Sequence, residues 1–211
     1  LAFTAPHWPL HAPEADIAPY RGNYKGGWDA LRAERLQRLV AAGLLPADQP
    51  LSDRDPEAPA WNTVDNPAWQ AELMAVYAAQ IESMDRGIGR VLEELETHGL
   101  RQNTLVVFTS DNGPYLTGAL ARYNGPFRGE KGDVLEGGIR VPCLLSWPGG
   151  LPGARVLDHM THFCDWLPTL ASWAGGRPAN PDALDGIDIT PLLEGGRPEI
   201  ERPRYWQRNR Y

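Results

Sequence analysis

Two cysteines in 211 residues, Cys143 and Cys164, are too few for a disulfide framework, and neither has the spacing of a metal ligand. They read as free thiols in the core. No apolar run reaches the length of a membrane span, and no charged segment followed by an apolar one is seen at Leu1, so neither a transmembrane helix nor a signal peptide is visible in these residues. Positive charge is also in deficit. Lys and Arg number 20 against 27 Asp and Glu, a net charge of −7 that argues against a nucleic-acid surface but still allows a locally positive pocket. Internal repeats and low-complexity tracts are missing too. What is present is a globular composition, 42% hydrophobic, sufficient for one large or two small domains with a sizeable core.

The stretch richest in chemistry is Thr104 to Gly113. Thr104-Leu105-Val106-Val107-Phe108-Thr109 is apolar and β-branched without alternation, which predicts a strand buried on both faces in the parallel sheet of an α/β fold. It runs into Asp111-Asn112-Gly113. Ligands of open α/β sheets bind beyond the carboxyl ends of the strands, so an acid and an amide there can hold a hard cation. Asn-Gly is also the strongest short hairpin signal, but no second apolar strand follows at hairpin distance. Gly113 to Gly138 instead lacks strand or helix periodicity, and segments of that length in compact domains are functional or disordered. Tyr115, Tyr123 and Phe127 argue against disorder, while Arg122, Arg128 and Lys131 supply local positive charge suited to an anion.

Elsewhere the punctuation is local. Leu1 to Thr4 reads as the end of a strand, and Ala5 to Pro13 as a loop stiffened by prolines. Trp28 to Ala42 carries Leu31, Leu36, Leu39 and Val40 between charged residues and stops at Gly43, predicting an amphipathic surface helix. Asn66 as N-cap and Pro67 as first residue open a long helix whose apolar positions are Leu73, Tyr77, Ile81, Met84, Ile88, Val91 and Leu95. Gly87 and Gly89 within it predict close packing against a neighbour. Arg140 to Trp147 reads as a second buried strand. Asp165, with Pro168 in the first turn, opens a short helix, and Thr190-Pro191-Leu192-Leu193 is a small apolar anchor in the tail.

Taken in order, Ala5-Pro6-His7-Trp8-Pro9-Leu10, the helix from Tyr77 to Asp85, Ser110-Asp111-Asn112-Gly113, Arg128-Gly129-Glu130-Lys131-Gly132, the run from Glu136 to Pro142, and Asp165-Trp166-Leu167-Pro168-Thr169 resemble the type I sulfatase family. Asp185-Gly186-Ile187-Asp188 with Pro191-Leu192-Leu193 is similar to that family as well, and the Pro-His-Trp-Pro loop likens the chain to bacterial arylsulfatases. The resemblance implies an α/β fold like alkaline phosphatase, a mixed, mostly parallel sheet sandwiched between helices. Residues 1–211 would be the central to C-terminal part of the catalytic domain, with 113–138 as its active-site loop.

The reaction implied is hydrolysis of a small-molecule sulfate ester on bound Ca²⁺. Carried over position by position, Asp111 and Asn112 would be calcium ligands, Lys131 would bind a sulfate oxygen, and His7 would contact the sulfate and the leaving group. Hard oxygen donors suit Ca²⁺, and His7 or Lys131 could protonate a departing alkoxide. The family's nucleophile is a formylglycine made from a Cys/Ser-x-Pro-x-Arg motif, which this sequence does not contain. That motif and an acidic pair are expected upstream of the Pro-His-Trp-Pro loop, so the isolated chain is expected not to hydrolyse sulfate esters. Phosphomonoester or phosphonate hydrolysis in the same superfamily, and a non-catalytic anion-binding module, are the alternatives. Trp8, Trp61 and Tyr115 are candidate aromatic walls of a pocket. His159 and His162, three apart without a third ligand, read as structural.

Overall fold

Asn66 and Pro67 start the longest element as the sequence predicts. The Asn66 carboxamide oxygen accepts from Trp69 N at 3.3 Å, and Pro67 takes the first helical position, where its missing N–H has no intrahelical partner to lose. A computed structural model describes residues 1–51, 53–54, 58–115, 127–196 and 203–207 of this α/β chain. Arg122 and Tyr123 lie outside the described residues. The elements in order are α1 (Glu14–Ile17), α2 (Gly27–Ala41), α3 (Pro67–Thr97), β1 (Val106–Thr109), α4 (Glu136–Ile139), β2 (Cys143–Ser146), α5 (Trp166–Trp173) and α6 (Thr190–Leu193). They fall into two units, one of Leu1–Glu94 with Asn112–Ile139, the other of Leu95–Asp111 with Arg140–Tyr211. Among the described residues no helix is long and apolar enough to cross a membrane.

In the first unit, α2 is the amphipathic surface helix expected: Leu31, Leu36, Leu39 and Val40 are half-buried while Glu34, Arg35 and Arg38 are exposed. Helix α3 differs from expectation. Its fully buried face is a stripe of small residues, Ala75 and Ala79, packed with Ile17 against Ala12, Tyr20, Tyr24 and Val76; Ile81 and Val91, predicted to be inward, are exposed. The cause is what covers the helix. Loops and the short α1 lie on it, and a layer without a sheet fits over alanines more closely than over large side chains. Gly87 does pack closely, since a Cβ there would come 3.0 Å from the Phe3 ring, whereas Gly89 faces open space. Leu1 to Thr4, expected as a strand end, is irregular.

Polar bonds fix the same face. Ser83 Oγ donates to Asp16 Oδ2 at 2.6 Å, and Arg86 Nη2 lies 2.5 Å from Asp16 Oδ1. Arg86 and Ser83 together hold the Asp16 carboxyl below the ordinary aspartate value. An unfolded chain then binds a proton at a higher pH than the folded one, so the Asp16 contribution is complete above the unfolded value of about 3.9 and is lost as pH falls through the lower folded value. Thermal melts of wild type and Asp16→Asn should therefore differ most at neutral pH and converge as the pH falls below the ordinary aspartate value; a constant difference across that range would show that Asp16 does not carry the linkage.

In the second unit, β1 pairs antiparallel with β2, Val106 opposite Ser146 and Thr109 opposite Cys143. The strand after α3 is thus present, but among the described residues its pairing is antiparallel and it lacks the double burial expected of it. Val107, Phe108 and Leu144 are 37%, 41% and 63% exposed, in a sheet that has two strands among the described residues. Cys143 is exposed and Cys164 half-buried, both free thiols, so the expected core placement does not hold. The buried apolar residues are instead Ile189, with Leu192 and Leu193 of the predicted tail anchor.

Asp165 organises this unit. It is fully buried and precedes α5, yet its side chain does not cap that helix. It accepts from His162 N at 2.8 Å, Ile187 N at 3.1 Å and Arg204 Nη2 at 2.8 Å. His162, predicted to be structural, completes a reciprocal capping box with Asp165 around the turn Phe163–Asp165. Its ring lies 5.5 Å from that of Trp206, so 203–207 is a docked irregular segment. A carboxylate buried this deeply depends on its cation. Arg204→Met should cost about 3–5 kcal/mol in urea unfolding, while an unchanged midpoint would mean that the two backbone donors suffice.

Candidate functional site

Beyond β1, Gly113 N donates to Gly138 O at 2.9 Å, Lys131 N to Pro114 O at 2.7 Å, and Gly137 N to Arg128 O at 2.8 Å. These bonds fold the described part of the basic loop back onto the segment that carries Asn112. The approach needs glycine, for a Cβ on Gly113 would sit 1.8 Å from Gly137 O. Gly129 and Gly132, with φ of 95° and 90°, flank Lys131 in a turn closed by Asp133 N to Glu130 O at 2.9 Å; L side chains rarely adopt that backbone conformation. Lys131 is held at a turn tip, exposed, and its ammonium makes no ion pair with a described residue.

Asn112 is half-buried, and its Nδ2 donates to Gly113 O at 2.8 Å. This orients the amide, so its carbonyl oxygen is the end turned from Gly113. A carboxylate at Asp111 and an oriented amide oxygen at Asn112 are hard donors of the kind calcium takes, and the pair fits part of a calcium shell. No group of three or more His, Cys, Asp or Glu side chains able to hold a metal ion occurs among the described residues. Asp111 is the last residue of its segment in the second unit and Asn112 the first of the returning segment of the other.

His7 lies on the proline-framed loop of the first unit, exposed. Its carbonyl accepts from Gln80 Nε2 on α3 at 3.1 Å, and its Nδ1 lies 2.6 Å from Trp8 O. A carbonyl can only accept, so Nδ1 carries the proton and Nε2 is the nitrogen left for chemistry. The structure thus brings the Asn112 and Lys131 segments together and anchors His7 separately through Gln80. Gln80 was missed from sequence; it is 5% exposed on an otherwise apolar face, and a lone Gln among alanines was the available signal. The Gly137-Gly138 pair was visible as a motif, but its physical role, close backbone approach, needed the fold.

A family model described as Sulfatase matches residues 1–176. An arylsulfatase of Klebsiella aerogenes is 43% identical over 99% of this chain and 52% of its own length. An uncharacterized sulfatase of Schizosaccharomyces pombe is 34% identical over 95% of the chain and 43% of its own. Mouse steryl-sulfatase is 43% identical over 58% of the chain and 21% of its own. The chain spans about half the length of the first two. Among solved structures, Ps i-CgsB matches with a TM-score of 0.60 and 27% identity over 92% of this chain and 32% of that one. A structure from work on glycosaminoglycan metabolism by Bacteroides thetaiotaomicron matches with a TM-score of 0.56 and 25% identity over 96% and 35%. With this fold likeness to sulfatases of the alkaline phosphatase superfamily, and with the family model covering most of its residues, the chain belongs to the sulfatase family.

Proposed function

We propose that the complete protein is a sulfuric ester hydrolase, arylsulfatase-like in its reaction, with this chain supplying part of the catalytic domain and residues 113–138 its active-site loop. The observation that carries the reading is the return of Lys131, which makes no ion pair with a described residue, to the Asn112 segment through two backbone bonds in a chain similar over almost all its length to an arylsulfatase. Asp111 and Asn112 would hold Ca²⁺, which would supply Lewis-acid charge to a sulfate oxygen. Lys131 would bind another sulfate oxygen, its backbone held beside the Asn112 segment by the turn before substrate arrives. His7 would face the leaving-group oxygen with Nε2. A proton there passes to the departing alkoxide, while the Nδ1–H bond to Trp8 O keeps the ring in one orientation. Formylglycine is the family's nucleophile, and neither Cys143 nor Cys164 sits in a Cys-x-Pro-x-Arg sequence, so no attacking group is assigned within this chain.

Two measurements test these roles. Lys131→Ala in the complete protein should lower kcat/KM for an aryl sulfate roughly a hundred- to a thousand-fold, the scale on which one preorganised charge donor acts; a change within about threefold would remove Lys131 from the site. Calorimetric titration of calcium into the complete protein should give a saturable heat that Asp111→Ala loses and that a chelator reverses. Equal heats from wild type and Asp111→Ala would exclude Asp111 as a ligand.

A further inference from the structure

Gln80 is polar where the fold offers it little. It follows Ala79 on the buried face of α3 and is 5% exposed. Its Nε2 donates to His7 O at 3.1 Å, and because a carbonyl can only accept, that bond settles which end of the amide is which. The other end, Oε1, is buried without a hydrogen-bond partner among the described residues. An acceptor stripped of water and left unanswered destabilises a fold. Methionine has nearly the same length and volume, fills irregular gaps and carries no such group. Packing on α3 therefore does not call for glutamine at this position, and what distinguishes the residue is its bond to His7.

The His7 loop depends on that bond. A cavity of about 310 Å³ is bordered by Ala5, His11 and Pro13 of the loop and by Gln80 and Ser83 of α3, so side-chain packing does not close the gap between them. His7 N donates to Thr4 O at 2.8 Å, a bond that closes a turn without joining the loop to the helix. Among the described residues, the hydrogen bond that ties residues 5–11 to α3 is the one from Gln80.

We infer that Gln80 is a positioning residue for His7, an inference that rests on the leaving-group role given to His7 above. The bond holds the carbonyl of the His7–Trp8 peptide, and the planarity of that unit carries the constraint on to Trp8. Trp8 O lies 2.6 Å from His7 Nδ1. With Trp8 O set in place, the proton stays on Nδ1 and the ring keeps one tautomer and one orientation. Gln80 itself touches no reacting atom. It acts through the backbone that aims the imidazole, and small errors of aim slow a reaction strongly.

Gln80→Met is compared with wild type by two routes. In the 211-residue chain, the imidazole ¹⁵N shifts of His7 are assigned by their loss in His7→Ala and read at about pH 8.5, above the ordinary histidine value. They should report the Nδ1–H tautomer in wild type and move toward the mixture of a free imidazole in Gln80→Met, while the urea midpoint stays or rises. In the complete protein, kcat for an aryl sulfate should fall about ten- to a hundred-fold in Gln80→Met, with KM unchanged within about twofold. An unchanged tautomer overturns the inference, and so does an unchanged kcat where His7→Ala lowers it. If His7→Ala leaves kcat unchanged as well, the leaving-group role fails, and the tautomer shift alone decides whether Gln80 sets the ring. Should methionine disturb the core and lower the midpoint, Gln80→Leu repeats both measurements with the same outcomes decisive.

Discussion

The hydrogen bond from Gly113 N to Gly138 O is the contact on which the candidate site depends. It can form only because two chain segments meet without side chains. A Cβ on Gly138 would lie 2.3 Å from Glu130 O and 2.4 Å from Asp133 O, and one on Gly113 would strike Gly137 O. Backbone approach this close sets the separation between the Asn112 segment and the Lys131 turn more tightly than side-chain packing would, since side chains adjust by rotamer and backbones do not. An electrostatic site benefits from that stiffness, because a charge that need not be reoriented as the reaction proceeds loses none of its effect to reorganisation.

Elements specified by neighbouring residues were legible in the sequence. Asn66-Pro67 opens α3 and the Leu31, Leu36, Leu39, Val40 stripe makes α2 amphipathic, since capping and helical period are local properties. Features that depend on distant partners were not. Asp165 reads as a helix N-cap from its immediate context, but the donors that decide its role come from Ile187 and Arg204, 22 and 39 residues away. The burial of β1 was inferred from apolar content alone, and exposure at Val107 and Phe108 depends on what lies over the sheet. The buried face of α3 was sought among its large side chains, whereas close packing selected alanines. For the site, Asp111, Asn112, His7 and Lys131 were chosen through family likeness; physics at sequence level marked the acid–amide pair and the basic loop, but not the glycines that join them.

The use of basic residues divides by chemistry. Arginine forks are engaged with oxygens inside the fold: Arg21 with Glu14 and Glu72, Arg86 with Asp16, Arg54 with Asp29, Arg204 with Asp165, and Arg155 with the carbonyls of Leu192 and Leu193. A planar guanidinium suits fixed two-point contacts and loses little freedom in making them. Neither lysine, Lys25 or Lys131, is used in this way. An ammonium that pairs with no described acid, as at the Lys131 turn tip, keeps its hydration until an anion displaces it, so its charge is available to a ligand rather than spent on the fold. In a chain of net charge −7, Lys131, on the turn that returns to the Asn112 segment, adds charge opposite in sign to the whole. An anion drawn to the molecule is therefore favoured at that turn rather than over the surface at large.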